Sequence, residues 1–171
     1  MNARKRLQRL TLSALLLAMM LVLGFVESQL PAAPGIPGVK LGLSNGVLIF
    51  AIYMLGIPSA FALMIMKVLL SGMMFGGVSA MMYAFAGGAL SMLLMSLLSR
   101  MKGVHVVVVS MIGGLAHNVG QVALAMLLVN TPQLLYYMAI LMIVGLACGA
   151  LTGTCATLVM KHLQHIRKQP L

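Results

Sequence analysis

From Leu10 to Val26 the chain carries no ionisable side chain, and this stretch sits directly behind the basic cluster Arg4, Lys5, Arg6 and Arg9. A helix on the surface of a soluble protein would interleave polar residues at every turn; this run does not. Comparable runs fill most of the remaining sequence. Of 171 residues, 62% are hydrophobic and 7% charged, which is too little polar surface to wrap a water-soluble core. About 20 residues of helix cross the hydrocarbon layer of a bilayer. The sequence therefore predicts an all-α integral membrane protein: a bundle of six transmembrane helices forming a single membrane domain over residues 1–171.

The six spans are expected at about 10–26, 41–55, 59–74, 78–98, 104–129 and 134–160. Helix breakers set most of the boundaries. Between Gln29 and Gly38 three prolines and two glycines forbid a continuous helix, which gives an external loop over residues 27–40. Gly56-Ile57-Pro58 is a tight turn, the segment from Gly72 to Gly77 punctuates the chain again, and Asn130-Thr131-Pro132 separates the last two runs. If both termini lie in the cytoplasm, nine of the eleven lysines and arginines fall on the cytoplasmic side, as the positive-inside bias demands. Five or seven spans would put the C-terminal basic cluster on the wrong face. Lys40 is then external and Lys67 lies inside a span.

The net charge of +10 is accordingly a topology signal, and no nucleic-acid partner is expected, because the basic residues sit at the ends of apolar runs and form no solvated face. Cys148 and Cys155 fall seven residues apart on one face of one helix, where they cannot bridge to each other. The eighteen methionines are a pliable apolar filling. Without clustered His or Cys ligands, neither a metal nor a cofactor is expected.

Polar residues inside the runs are the functional candidates. A charge near mid-membrane costs a few kcal/mol or more, so Lys67 is expected to face the bundle interior or a water-filled cavity; snorkelling, or pairing with Glu27, the one acidic residue in the chain, is the simpler alternative. His117 and Gln121 are one helical turn apart with Asn118 beside them, so the three are expected to line one face. Interhelical hydrogen bonding alone would also use such groups. Lys40, Ser44 and Asn45 bring a cation, a hydroxyl and an amide to the start of the second run. Together Glu27, Lys40, Ser44, Asn45, Lys67, His117, Asn118 and Gln121 form the expected binding site, suited to an anionic head group with an apolar remainder. Small residues form a second pattern: Ala14 and Ala18 on the first span, and Gly145, Gly149 and Gly153 on the sixth, both allowing close helix approach.

A self-contained enzyme is not expected. With one acidic residue the chain has no paired carboxylates, no aspartate-rich magnesium site, no nucleotide-hydrolysing motif and no Ser-His-Asp arrangement.

Pro37-Gly-Val-Lys-Leu-Gly-Leu-Ser-Asn45, Met66-Lys67-Val-Leu-Leu-Ser-Gly72, Gly87-Gly-Ala-Leu-Ser91 and His117-Asn-Val-Gly-Gln121 resemble the membrane family labelled "heptaprenyl diphosphate synthase component I" or "Gx transporter", from about Leu10 to His165. Lys67 stands where that family more often has Arg, keeping the charge and losing the planar fork. The family's architecture is similar to the substrate-binding S-components of energy-coupling-factor transporters. The resemblance implies six helices, a bacterial inner (cell) membrane location, an outward-facing site lidded by the first external loop, and Ala14 and Ala18 as the docking motif for a membrane coupling subunit and its ATPases. On that reading the chain captures a small anionic or amphipathic metabolite for uptake. The alternative is a membrane accessory of isoprenoid or quinone metabolism that holds a prenyl diphosphate or quinone precursor, and a third reading is a structural anchor within a larger complex.

Overall fold

The computed structural model describes residues 3–29, 42–131 and 133–168, with side chains as far as Leu163. Among these residues all regular structure is helical: α1 (Ala3–Ser28), α2 (Asn45–Leu55), α3 (Ile57–Ser71), a π-helical turn (Gly72–Gly76), α4 (Gly77–Ser99), α5 (Val106–Val129) and α6 (Leu134–Lys168). Four helical stretches are long and apolar enough to cross a membrane: Ala3–Ser28, Ile57–Ser99, Val106–Val129 and Leu134–Leu163. Their outward faces are apolar as well, with Leu93, Leu127, Ile143 and Leu158 all exposed, the reverse of a fold that lives in water. The chain is a membrane protein.

The boundaries depart from the expected spans where propensity overrides hydropathy. The basic segment before Leu10 joins α1, since Arg, Lys, Gln and Leu are all good helix formers. At its other end α1 runs on through Glu27 and Ser28, so Glu27 is not a loop residue as expected but a buried group in the last turn. The rest of the expected external loop, residues 30–41, lies outside the described residues. The second expected span is an 11-residue helix, α2, which at 1.5 Å per residue covers only about half of a bilayer's hydrocarbon layer.

The Ile57–Ser99 stretch is 43 residues long, twice what one crossing needs, and it folds back on itself. A Cβ placed on Gly72 would stand 2.8 Å from Met81 Cβ, and one on Gly88 would stand 3.0 Å from Met64 Sδ. In one straight helix the second pair would be roughly 36 Å apart. The reversal occurs at the π-helical turn and Gly77, whose φ of +72° only glycine adopts at little cost. The expected punctuation at Gly72 to Gly77 is thus a hairpin corner between α3 and α4.

α2 touches every other helix and is buried along nearly its whole length. Leu48, Ile49, Ala51 and Ile52 form the middle of a core completed by Leu16 and Met20 of α1, Met64 and Val68 of α3, Met92 and Met95 of α4, and Ala156 and Met160 of α6. In lipid such packing is held by close contact rather than by escape from water. The most extensive contact is between α5 and α6. The glycine stripe on α6 lies directly on α5, where a Cβ on Gly149 would stand 2.6 Å from Met111 Cα and one on Gly153 would stand 3.0 Å from Val107 Cα.

These pairings also fix direction. Gly87 of α4 meets His117 and Gln121 of α5 while Gly113 meets Ser91 and Met95, and Gly145 meets Gly114 while Gly153 meets Val107, so α4, α5 and α6 alternate. Leu43 meets Glu27 at one end of α1, and Met54 and Leu55 sit beside Lys5 and Arg9 at the other, so α2 runs back along α1. Arg4, Lys5, Arg6 and Arg9 therefore gather with Arg100, Lys102 and Lys161 at one end of the bundle, the basic end. Glu27 lies near the other end of α1, and the start of α2 reaches only to the middle of α5, where Gly42 meets His117.

Candidate functional site

The start of α2 organises a buried polar cluster. The backbone N–H of Leu43, in the turn that leads into α2, donates a hydrogen bond to Glu27 Oε1, so the carboxylate of α1 sits at the N-terminal side of α2, where the helix dipole is positive. Ser44 offers no side-chain cap of its own, and its hydroxyl, buried, has no hydrogen-bond partner among the described residues. The same holds for Asn45 Nδ2.

Beside this turn stands α5. Gly42, at φ +85°, comes so close that a Cβ there would lie 3.0 Å from Asn45 Nδ2 and 3.2 Å from His117 Cδ2. His117 Nε2 and the Gln121 amide nitrogen are 2.7 Å apart, both groups fully buried. In this amide orientation Gln121 donates and the imidazole accepts at Nε2, which leaves the ring proton on Nδ1. Nδ1 lies against Gly87 of α4, where a Cβ would come within 3.0 Å of it. One turn along α4, Ser91 is buried next to Gly113, and its hydroxyl has no partner among the described residues.

Lys67 is buried on the α1 side, its Cε 3.9 Å from where a Cβ of Gly24 would be. Gly24 and Glu27 share the buried face of α1, so the cation and the chain's one carboxylate meet the same strip of that helix. Phe25 and Phe75, stacked edge to face with centroids 5.6 Å apart, hold the π-helical turn against the same end of α1.

Of the residues expected to form one site, the structure brings Glu27, Ser44, Asn45, His117 and Gln121 into a connected cluster, with Lys67 at its α1 flank. Asn118 is not part of it. Successive helical residues are turned by about 100°, so Asn118 points away from His117 and donates to Leu141 O of α6 at 2.6 Å. It is a bond between α5 and α6. Lys40 lies outside the described residues. Ala14 and Ala18 are on the outward, exposed face of α1 with Leu7 and Leu10, opposite the buried face of Leu16, Met20, Gly24 and Glu27. Gly87 and Ser91, which entered the sequence reading only as part of the family resemblance, were not among the expected site residues. The signal that could have found them is their spacing, two small residues one turn apart on a helix that must lie against the His117–Gln121 face.

Fold and site together define a helical membrane protein whose buried hydrogen-bonding groups collect in the interior of the bundle, away from its basic end. Within that class the chain belongs to the family described as heptaprenyl diphosphate synthase component I, which it matches over residues 16–159. No curated protein and no solved structure matches it.

Proposed function

We propose that this chain is the ligand-binding membrane subunit of a larger assembly, resembling an S-component. On this reading it crosses a bacterial inner membrane six times with both termini inside, and takes up a small anionic or amphipathic metabolite from the outer face. A membrane coupling subunit and separate ATPases would supply the energy, since no residue set here suits nucleotide hydrolysis. Supporting this is one observation: buried Ser44 Oγ, Asn45 Nδ2 and Ser91 Oγ have no partners among the described residues, and Asn45 and His117 flank Gly42, beside a buried cation and carboxylate. Unpaired buried polar atoms are costly unless something else binds them. The gathering of the basic residues at one end of the bundle supports the N-in orientation.

The test is native mass spectrometry of the gently purified chain from its own host. Wild type should carry a small molecule that Lys67→Leu and His117→Leu lose while remaining folded. Retention in both variants would remove the site assignment.

A second reading is favoured by the family description itself: a non-catalytic accessory that holds a prenyl diphosphate or a quinone precursor for a partner synthase. Lys67 would meet the diphosphate and the Met/Leu wall the chain. The two separate by what co-purifies, an ATPase pair with a coupling protein or a prenyltransferase.

A further inference from the structure

At the basic end, α1 and α2 leave an open groove of about 430 Å³ lined by Lys5, Gln8, Arg9, Leu12, Met54 and Leu55. It is unrelated to the polar cluster around Glu27, which lies 18 residues along α1, roughly 27 Å away. Lys5 and Arg9 are one helical turn apart, and with Gln8 they present only hydrogen-bond donors and an amide to the groove. Like charges at that spacing repel. Arg4 and Arg6 add to the excess, and the chain's single carboxylate is too far away to offset it. The floor is of the opposite character: Leu55 is buried, Leu12 half-buried, and Met54 exposed at the edge.

A cationic rim over an apolar floor, at the height where a membrane helix meets the head groups, fits a molecule that is anionic at one end and hydrocarbon at the other. We propose that this groove seats an acidic phospholipid of the surrounding leaflet, its phosphate between Lys5 and Arg9 and its acyl chains leaving over Met54. The anion cancels the repulsion within the first two turns of α1 and ties that helix to the C-terminal end of α2. A soluble phosphate ester offers the same head-group chemistry without the chains, and the experiment separates the two.

The full-length chain in neutral detergent is titrated with phosphatidylglycerol, with phosphatidylcholine of the same acyl chains, and with glycerol 3-phosphate, and bound species are counted by native mass spectrometry. Phosphatidylglycerol should bind at least tenfold tighter than phosphatidylcholine. The pair Lys5→Gln/Arg9→Gln should weaken it roughly thirtyfold, given the contribution of each basic residue near a membrane surface. Arg100→Gln/Lys102→Gln, at the same end and outside the groove, should leave the preference intact, as should the charge-keeping pair Lys5→Arg/Arg9→Lys. An equal loss in the Arg100/Lys102 variant would reduce the effect to the general charge of this end. Binding of glycerol 3-phosphate as tight as that of the lipid would assign the groove to a soluble anion, and unchanged binding in Lys5→Gln/Arg9→Gln would remove the site.

Discussion

Gly87 and Gly88 are neighbours in sequence, both buried on α4, and replacing each with alanine should have very different consequences. A methyl on Gly87 would stand 2.5 Å from the backbone oxygen of His117, 2.8 Å from Gln121 Cγ and 3.0 Å from His117 Nδ1. Carbon and carbonyl oxygen settle at about 3.3 Å or more, so α4 and α5 would have to part by roughly 0.8 Å. Gly120 lies on the far side of the same contact, 2.9 Å from Gly87 Cα by the same construction, so the helices cannot slide to make room. Overpacking of this kind costs about 1–3 kcal/mol. At Gly88 the obstacle is Met64, whose Sδ would lie 3.0 Å and Cγ 3.2 Å away. A thioether side chain can rotate aside, and the expected cost is below about 1 kcal/mol. Unfolding both variants in mixed micelles with increasing SDS, followed by helical circular dichroism, measures the difference. Gly87→Ala should also lower retention of any co-purifying small molecule, because the displaced residues are His117 and Gln121. Equal midpoints for the two variants, or a more stable Gly87→Ala, would refute the packing argument.

Three further outcomes follow from the same geometry. Asn118→Leu should cost about 0.6–1.7 kcal/mol in the SDS unfolding assay, from the average to the maximum found for hydrogen bonds between membrane helices, and should leave small-molecule retention unchanged because Asn118 faces α6. Glu27→Leu should lower stability by about 1–3 kcal/mol by stranding the Leu43 N–H, whereas Glu27→Gln, which keeps an acceptor oxygen, should recover most of it; a thermal melt of the three proteins decides this. Ala14→Leu/Ala18→Leu should change the melt by less than about 0.5 kcal/mol, both residues being on the outward face, but should abolish co-purification of a membrane partner if that face is where one docks.

Hydropathy and breakers located the helices and most of the corners between them, because apolar length and Gly/Pro turns are local properties, but missed the basic start of α1 and the end of α6 by seven and eight residues. The α6 stripe of Gly145, Gly149 and Gly153 was also legible as a packing surface, and it is one. Three features were not. Glu27 reads as the start of a polar loop, yet it is drawn inside because the turn leading into α2 presents a backbone N–H there. Asn118 reads as part of a stripe with His117 and Gln121, but a stripe counted by proximity ignores the turn between adjacent residues, and α6 claims it. The full brevity of α2 was hidden: the apolar run from Leu41 to Leu55 is already short for a span, but the helix begins only at Asn45, after a turn built on the positive φ of Gly42. Within the candidate site, residue types were readable and partners were not, since pairing depends on which helices meet.

An 11-residue helix enclosed by five others poses a problem for biogenesis. Most membrane helices can enter the bilayer one at a time and associate afterwards, but α2 is too short to be stable there alone. Gly56, at φ +93°, joins it to α3 with a single residue between them. The two would therefore leave the translocon as one hairpin, and α2 would reach its place only as α5 and α6 close around it. Substitutions at Gly56 should then lower insertion yield in the cell beyond the strain that a side chain at φ +93° imposes on the assembled protein.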